Sequence, residues 1–205
     1  MGRYLGPKVK ICKRFGVAIF DKVDRWAAHP GRELAQPKGK RSSKSSAYAE
    51  GLVEKQKFKH IYGIFERQFR RYMEKAAGTK GNTATALALI AESRLDNVLY
   101  RAGFAVSRMA ARQLVNHGHV RVNDKKVDIP SFLVEPDMVI TIAARDKSKK
   151  LVGNALAVTR SQKLPSWLQL DGEGETASVK VVNKPNVDEM EFAVDIAKII
   201  ELMSK

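Results

Sequence analysis

The chain has a single cysteine, Cys12, among its 205 residues, so it can form no intrachain disulfide and supply no multi-thiolate zinc site. A small side chain in a basic arm is a simpler reading of Cys12 than a reactive thiol. No apolar run reaches the about 18 residues needed to cross a bilayer. The start, Met1-Gly2-Arg3-Tyr4, carries no lipidation pattern, and no apolar stretch with a small-residue cleavage site follows it. These absences predict no membrane partner and a cytoplasmic protein, or one in the organellar equivalent of the cytosol. There is no internal repeat, phosphate-binding glycine loop, Ser, His and Asp set or acid pair, so no active site, cofactor or metal centre is legible. His117 and His119 flank Gly118 with no second pair of metal ligands in view, and helix-end polarity suits them better.

Acidic residues are also scarce. Asp and Glu total 22 against 37 Lys and Arg, a net charge of +15. A surface so unbalanced repels itself, and a polyanion whose counterions are released on binding is the natural partner. The excess is concentrated: residues 1 to 72 carry 18 Lys or Arg and 6 Asp or Glu. With 44% hydrophobic residues the chain still has the means to build a core, either one large or two small.

Gly6-Pro7, Pro30-Gly31, Pro37 and Gly39 interrupt residues 1 to 46, which read as an irregular basic arm. From Pro37 to Ser46 there is almost nothing to bury, so that part is expected to order only against a partner. Tyr48 to Ala77 turns helical: Leu52, Phe58, Ile61, Tyr62, Phe65, Phe69 and Tyr72 recur at three- and four-residue steps, and Lys55, Lys57, Lys59, Arg67, Arg70 and Arg71 fall mostly elsewhere. Gly63 offers a break into two helices, and Gly78 to Asn82 ends the run. A second helical stretch follows from Thr83 to about Ala102. Ser107 suits the cap of a short helix, Arg108 to His117, stopped at Gly118. The period then becomes alternating, with Val120-Arg121-Val122, the turn Asn123-Asp124 and Lys125 to Ile129 forming a hairpin. Met138 to Ile142, Trp167 to Leu170 and Val179 to Val182 read as strands of one sheet, and Phe192 to Met203 as a closing helix.

Arg108 and Arg112 stand four residues apart on the capped helix, so both are expected to face solvent and reach phosphates while Met109, Leu114 and Val115 face the core. Lys125 and Lys126 at the hairpin extend that basic surface. The ordered set Ser93-Arg94-Leu95-Asp96-Asn97, Ser107-Arg108, Ala111-Arg112, Leu114, Gly118-His119-Val120, Val122-Asn123 and Ile129-Pro130-Ser131 resembles the S-four RNA-binding domain. That module occurs in several kinds of protein. Arg3 to Pro7, Glu54-Lys55-Gln56-Lys57, Ile61-Tyr62-Gly63 and Glu66 to Tyr72 narrow the match, because they resemble the bacterial-type small-subunit ribosomal protein four family over nearly the whole chain.

The resemblance implies an α+β fold in three parts: a basic irregular arm over 1–46, a helical rRNA-binding domain over 47–92, and an S-four-type domain over 93–182 with a small, mainly antiparallel sheet. The closing helix, 188–204, is free to pack on the helical domain. It further implies a structural component of the small ribosomal subunit, not an enzyme, that binds small-subunit ribosomal RNA as a primary protein. Such a component nucleates assembly, contributes to translational accuracy, neighbours ribosomal proteins five and twelve, and lies near messenger RNA where it enters. The expected RNA-binding residues are Lys55, Lys57, Arg67, Arg70 and Arg71 with Arg108, Arg112, His119 and Lys126. Two departures stand out. The amino-terminal cysteine cluster of zinc-binding members is reduced to Cys12, and the family's Pro-Pro-Gly-Gln-His-Gly turn is replaced near Gln36-Pro37-Lys38-Gly39-Lys40. Arg94-Leu95-Asp96 also imitates the catalytic motif of pseudouridine synthases, but Asp96 reads more simply as a helix-surface residue paired with a nearby Arg, since no catalytic domain follows.

Overall fold

A computed structural model describes residues 4–20, 46–159, 163–172, 174–191 and 194–204. Most of the Lys, Arg and Ser run from Pro37 to Ser46 therefore lies outside the described residues. The helices are α1 (Lys8–Phe15), α2 (Ala47–Tyr62), α3 (Glu66–Ala77), α4 (Thr83–Glu92), α5 (Leu95–Arg101), α6 (Arg108–Asn116), α7 (Asp146–Thr159) and α8 (Ile196–Ser204). The strands are β1 (Val120–Val122), β2 (Lys125–Lys126), β3 (Val139–Ile142), β4 (Leu168–Asp171) and β5 (Ser178–Val181). Two compact units result, one of residues 1–84 with 192–205 and one of residues 85–191.

In the first unit, the expectation of an irregular arm is corrected at residues 8–15. Glycine and proline flank this stretch but do not enter it, so α1 runs from Pro7 until Gly16 (φ 66°) turns the chain. Cys12 is fully buried, and its sulfur accepts the Ile19 N–H at 3.3 Å. The rings of Tyr4, Phe15 and Phe20 gather around His60 of α2, at centroid distances of 4.9, 5.9 and 6.4 Å. Ser46 caps α2 by accepting the Ala49 N–H. At Gly63 a φ of 60° lets the chain reverse into α3 at little steric cost. Phe58, Ile61, Tyr62, Phe69 and Tyr72 form the buried face, whereas Phe65 precedes α3 and stands half exposed. Helix α8 returns to α2 at very close range: a β-carbon on Gly51 would lie 2.9 Å from the Lys198 carbonyl. Ile196 and Ile199 are buried, and Lys198 pairs with Glu50 at 2.9 Å. Each large apolar side chain buried in this way contributes about 1.5–3 kcal/mol.

The stretch from Thr83 to Ala102 is two helices, not one. Arg94 is extended (ψ 135°) and bridges Leu133, while the Leu95 and Asp96 N–H groups donate to the Phe132 and Pro130 carbonyls. Backbone pairing to the 130–134 segment therefore outweighs helical continuity there. The second unit carries an antiparallel sheet in the order β2-β1-β3-β5-β4. Asn123 and Asp124 both adopt positive φ (48° and 63°), the geometry of a two-residue hairpin turn, and the Asn123 side chain accepts the Val139 N–H at 2.9 Å. Val120, Val122, Ile140, Val179 and Val181 line one face and pack with Leu95, Leu99, Leu114, Val115 and Trp167. Alternation leaves Arg121 outside. Helix α7, for which the sequence reading had no element, adds Val152 to this core and bonds its Thr159 hydroxyl to the Gly103 carbonyl.

Candidate nucleic-acid interface

The arginines of α6 do not project into solvent as expected. Asp96, at the start of α5, is 2% exposed and binds two guanidinium groups. Arg94, with no exposed surface, donates from Nε at 2.9 Å and from Nη2 at 2.6 Å to its two carboxylate oxygens. Arg112 donates to Oδ2 from Nε at 3.0 Å and from Nη2 at 2.7 Å. Asp96 is thus paired with arginine, as the sequence suggested, but in the interior and not on a surface. Arg108 donates from Nε to Asn97 Oδ1 at 2.8 Å, stacks 4.4 Å above the Tyr100 ring and reaches Glu191 at 2.9 Å. Both α6 arginines are only 12% exposed. The reason is electrostatic for Arg112, since the buried Asp96 carboxylate demands partners, whereas Arg108 one turn earlier is drawn in by Asn97 and the Tyr100 ring. These groups hold α6 against α5, and Met109 occupies the outer face instead.

The cations that do face outward lie at the other end of α6. Gly118 (φ 70°) ends that helix, with His117 exposed and His119 half-buried on either side. The Lys126 side chain crosses this glycine, its Nζ 3.2 Å from where a β-carbon would stand. His119 Nδ1 lies 2.7 Å from the hydroxyl of Ser148, a fully buried residue of α7. Burial, followed by the charges of His117 and Arg145, holds the His119 imidazole below its ordinary proton affinity. Arg121, Lys125, Lys126 and Arg145 are exposed, and among the described residues none of them makes an ion pair.

In the first unit, Lys55 is likewise turned inward. Its ammonium is 2.6 Å from Glu66, whose other oxygen takes Lys59 at 2.8 Å. Burial alone would raise the Glu66 carboxyl, but the hydrogen bonds and charges of the two lysines prevail and bring it down to about 2. Lys57 stands 3.7 Å from Glu54 with most of its side chain covered. Arg67, Arg70 and Arg71 are exposed on α3, where Arg70 reaches the same Glu66 at 3.4 Å. Of the expected residues, those on α3 and Lys126 present charge outward, Lys55, Lys57, Arg108 and Arg112 meet carboxylates, and His119 is a half-buried imidazole that disfavours its proton. Arg145 and Ser148 escaped the sequence reading because α7 did. Val152, Ala155, Leu156 and Thr159, spaced at three and four residues after Asp146, were the available signal.

A charge-laden helical unit followed by this helix-pair and hairpin arrangement defines a class, the ribosomal proteins built on an S4 domain. Residues 93–140 match the S4 domain model, and residues 3–92 match the model described as ribosomal protein S4/S9 N-terminal domain. Proteins named small ribosomal subunit protein uS4 match from end to end, covering all of both chains: 42% identity over 211 residues in a Thermoanaerobacter species, 40% over 214 in Thermus thermophilus and 42% over 207 in Persephonella marina. The chain belongs to the uS4 family of small-subunit ribosomal proteins. That family consists of structural components of the ribosome and is not an enzyme class.

Proposed function

We propose that this protein is a non-enzymatic, primary rRNA-binding component of the small subunit that nucleates assembly and contributes to decoding accuracy. It works in the cytoplasm or the equivalent organellar compartment, beside ribosomal proteins five and twelve and near incoming messenger RNA. The observation that carries this reading is the full-length match, at 40–42% identity, to proteins named as small ribosomal subunit proteins. Charge supports it. Arg67, Arg70 and Arg71 serve the first unit, and His119, Lys126, Arg121 and Arg145 serve the second, while Lys57 is held by Glu54. Lys55, Arg108 and Arg112 act one step back, fixing the elements that carry these groups. Structured RNA is then recognised by shape and phosphate placement, since the A-form major groove is too narrow for side chains to read.

The test is twofold. The protein should sediment with the small subunit through a high-salt wash, and its affinity for a small-subunit rRNA transcript should fall with salt by about 0.7–0.9 log units per phosphate neutralised. Six contacts give a slope of roughly −4 or steeper in log affinity against log salt. Recovery only in the free pool, or a flat salt response, refutes the proposal.

A further inference from the structure

The four arginines around α5 and α6, at positions 94, 101, 108 and 112, each have a carboxylate within 4 Å. Among the described residues, the cations around Gly118 do not. His117 and His119 have ring centroids 6.0 Å apart, and Lys126 lies across the glycine between them. Arg145 is brought alongside by the backbone: Ala143 N–H donates to the His119 carbonyl at 2.8 Å, and Arg145 N–H to the Ala143 carbonyl at 2.7 Å. We infer that His117, His119, Lys126 and Arg145 form a discrete seat for one phosphate group of an RNA backbone, with Ser148 as the residue that aims His119. The inference rests on the RNA-binding reading above and names a site within it.

The seat has a built-in orientation. Ser148 has no exposed surface and occupies Nδ1 of His119, which leaves Nε2 as the ring nitrogen for a ligand. Without a ligand, burial, His117 and Arg145 all disfavour a proton on His119. The surroundings offer little relief. The end of α6 contributes His117; β1 contributes Arg121; β2 contributes Lys125 and Lys126; β3 has no titratable side chain; α7 and the turn before it contribute Arg145, Lys147, Lys149 and the carboxylate of Asp146. Asp146 makes no ion pair with any member of the seat among the described residues. A phosphate reverses the balance, because its negative charge favours the imidazolium, and Nε2–H then donates to a phosphate oxygen. Binding takes up a proton, so affinity must rise as pH falls.

The experiment uses the full chain and a small-subunit rRNA transcript at constant salt, with affinity measured at about pH 6 and about pH 8. Wild type should bind roughly three- to tenfold tighter at the lower pH, and calorimetry in buffers of different ionisation enthalpy should register net proton uptake. His119→Gln, which keeps a polar partner for Ser148, should bind more weakly at low pH and lose most of the pH dependence. Arg145→Gln removes a charge without touching Ser148. It should weaken binding and move the midpoint of the pH profile upward, because the free imidazole then accepts its proton more readily. Imidazole NMR should show the His119 proton affinity rising with RNA but not with inorganic phosphate at about 10 mM; an equal response to both overturns the backbone assignment. Tight, pH-independent binding by wild type, or pH dependence undiminished in His119→Gln, refutes the seat and leaves the RNA-binding reading standing. No binding by wild type at either pH overturns both.

Discussion

Replacing Asp96 with asparagine preserves size and shape and removes one charge, so it isolates what that charge does. Arg94 has no exposed surface and donates two hydrogen bonds to the carboxylate; Arg112, at 12% exposure, donates two more. In the variant, an amide NH2 faces guanidinium donors across distances of 2.6–2.7 Å. Arg94 cannot rotate to water, which leaves a buried cation without a counter-charge. Removing one member of a buried pair costs about 3–5 kcal/mol. Summing four charge-assisted hydrogen bonds at about 1.5–3 kcal/mol each would exceed this, and the smaller figure holds because Arg112 can swing outward. For a unit of about a hundred residues the melting temperature should fall by roughly 12–20 °C. Trp167, buried in that unit, reports its unfolding in urea or on heating. A double-mutant cycle with Arg112→Met should give a coupling energy above about 1 kcal/mol. Reading Asp96 as a surface residue would allow only a small loss, so a measured cost below about 1 kcal/mol would refute the buried network. RNA affinity per folded molecule should be retained, and pseudouridine formation that disappears in the variant would reopen the enzymatic reading.

Glu66 gives a pH prediction. Its carboxyl lies at about 2 in the folded chain against an ordinary 4.5, so its stabilising contribution is present above 4.5 and lost as pH falls toward 2. Acid titration of the first unit should be visibly less steep in that window for Glu66→Gln, although the exposure of the site keeps the effect small. The segment 4–20 makes the last case: because Cys12 and Ile19 are buried and three rings surround His60, deleting it should destabilise the first unit by several kcal/mol on chemical denaturation, whereas an arm that orders only on RNA would leave the midpoint unchanged.

The legible parts of the fold were those in which one local signal is decisive. The Ser107 cap, the stop at Gly118 and the Asn123-Asp124 turn each depend on a few neighbouring residues, and all three stand where the sequence puts them. Helix α1 was obscured because Gly6, Pro7 and Gly16 read as disruption when they mark the ends of a helix. The break at Ser93-Arg94 is invisible locally, since strand-like pairing with residues nearly forty positions away imposes it. The two helix arginines were misdirected for the same reason. Spacing of four places Arg108 and Arg112 on one side of α6, but which side faces solvent depends on where Asp96 and Glu191 lie, and only the tertiary fold decides that.

Helix α8 closes on α2 after the whole of the second unit has intervened in sequence. Synthesis runs from the amino terminus, so residues 85–191 can emerge and collapse as a continuous piece while the first unit still lacks one of its walls. Until α8 arrives, the α2 surface around Gly51 is uncovered and the first unit is provisional. Completion of the first unit thus requires α8 to have been made, whereas residues 85–191 form one continuous stretch that needs nothing synthesised after it.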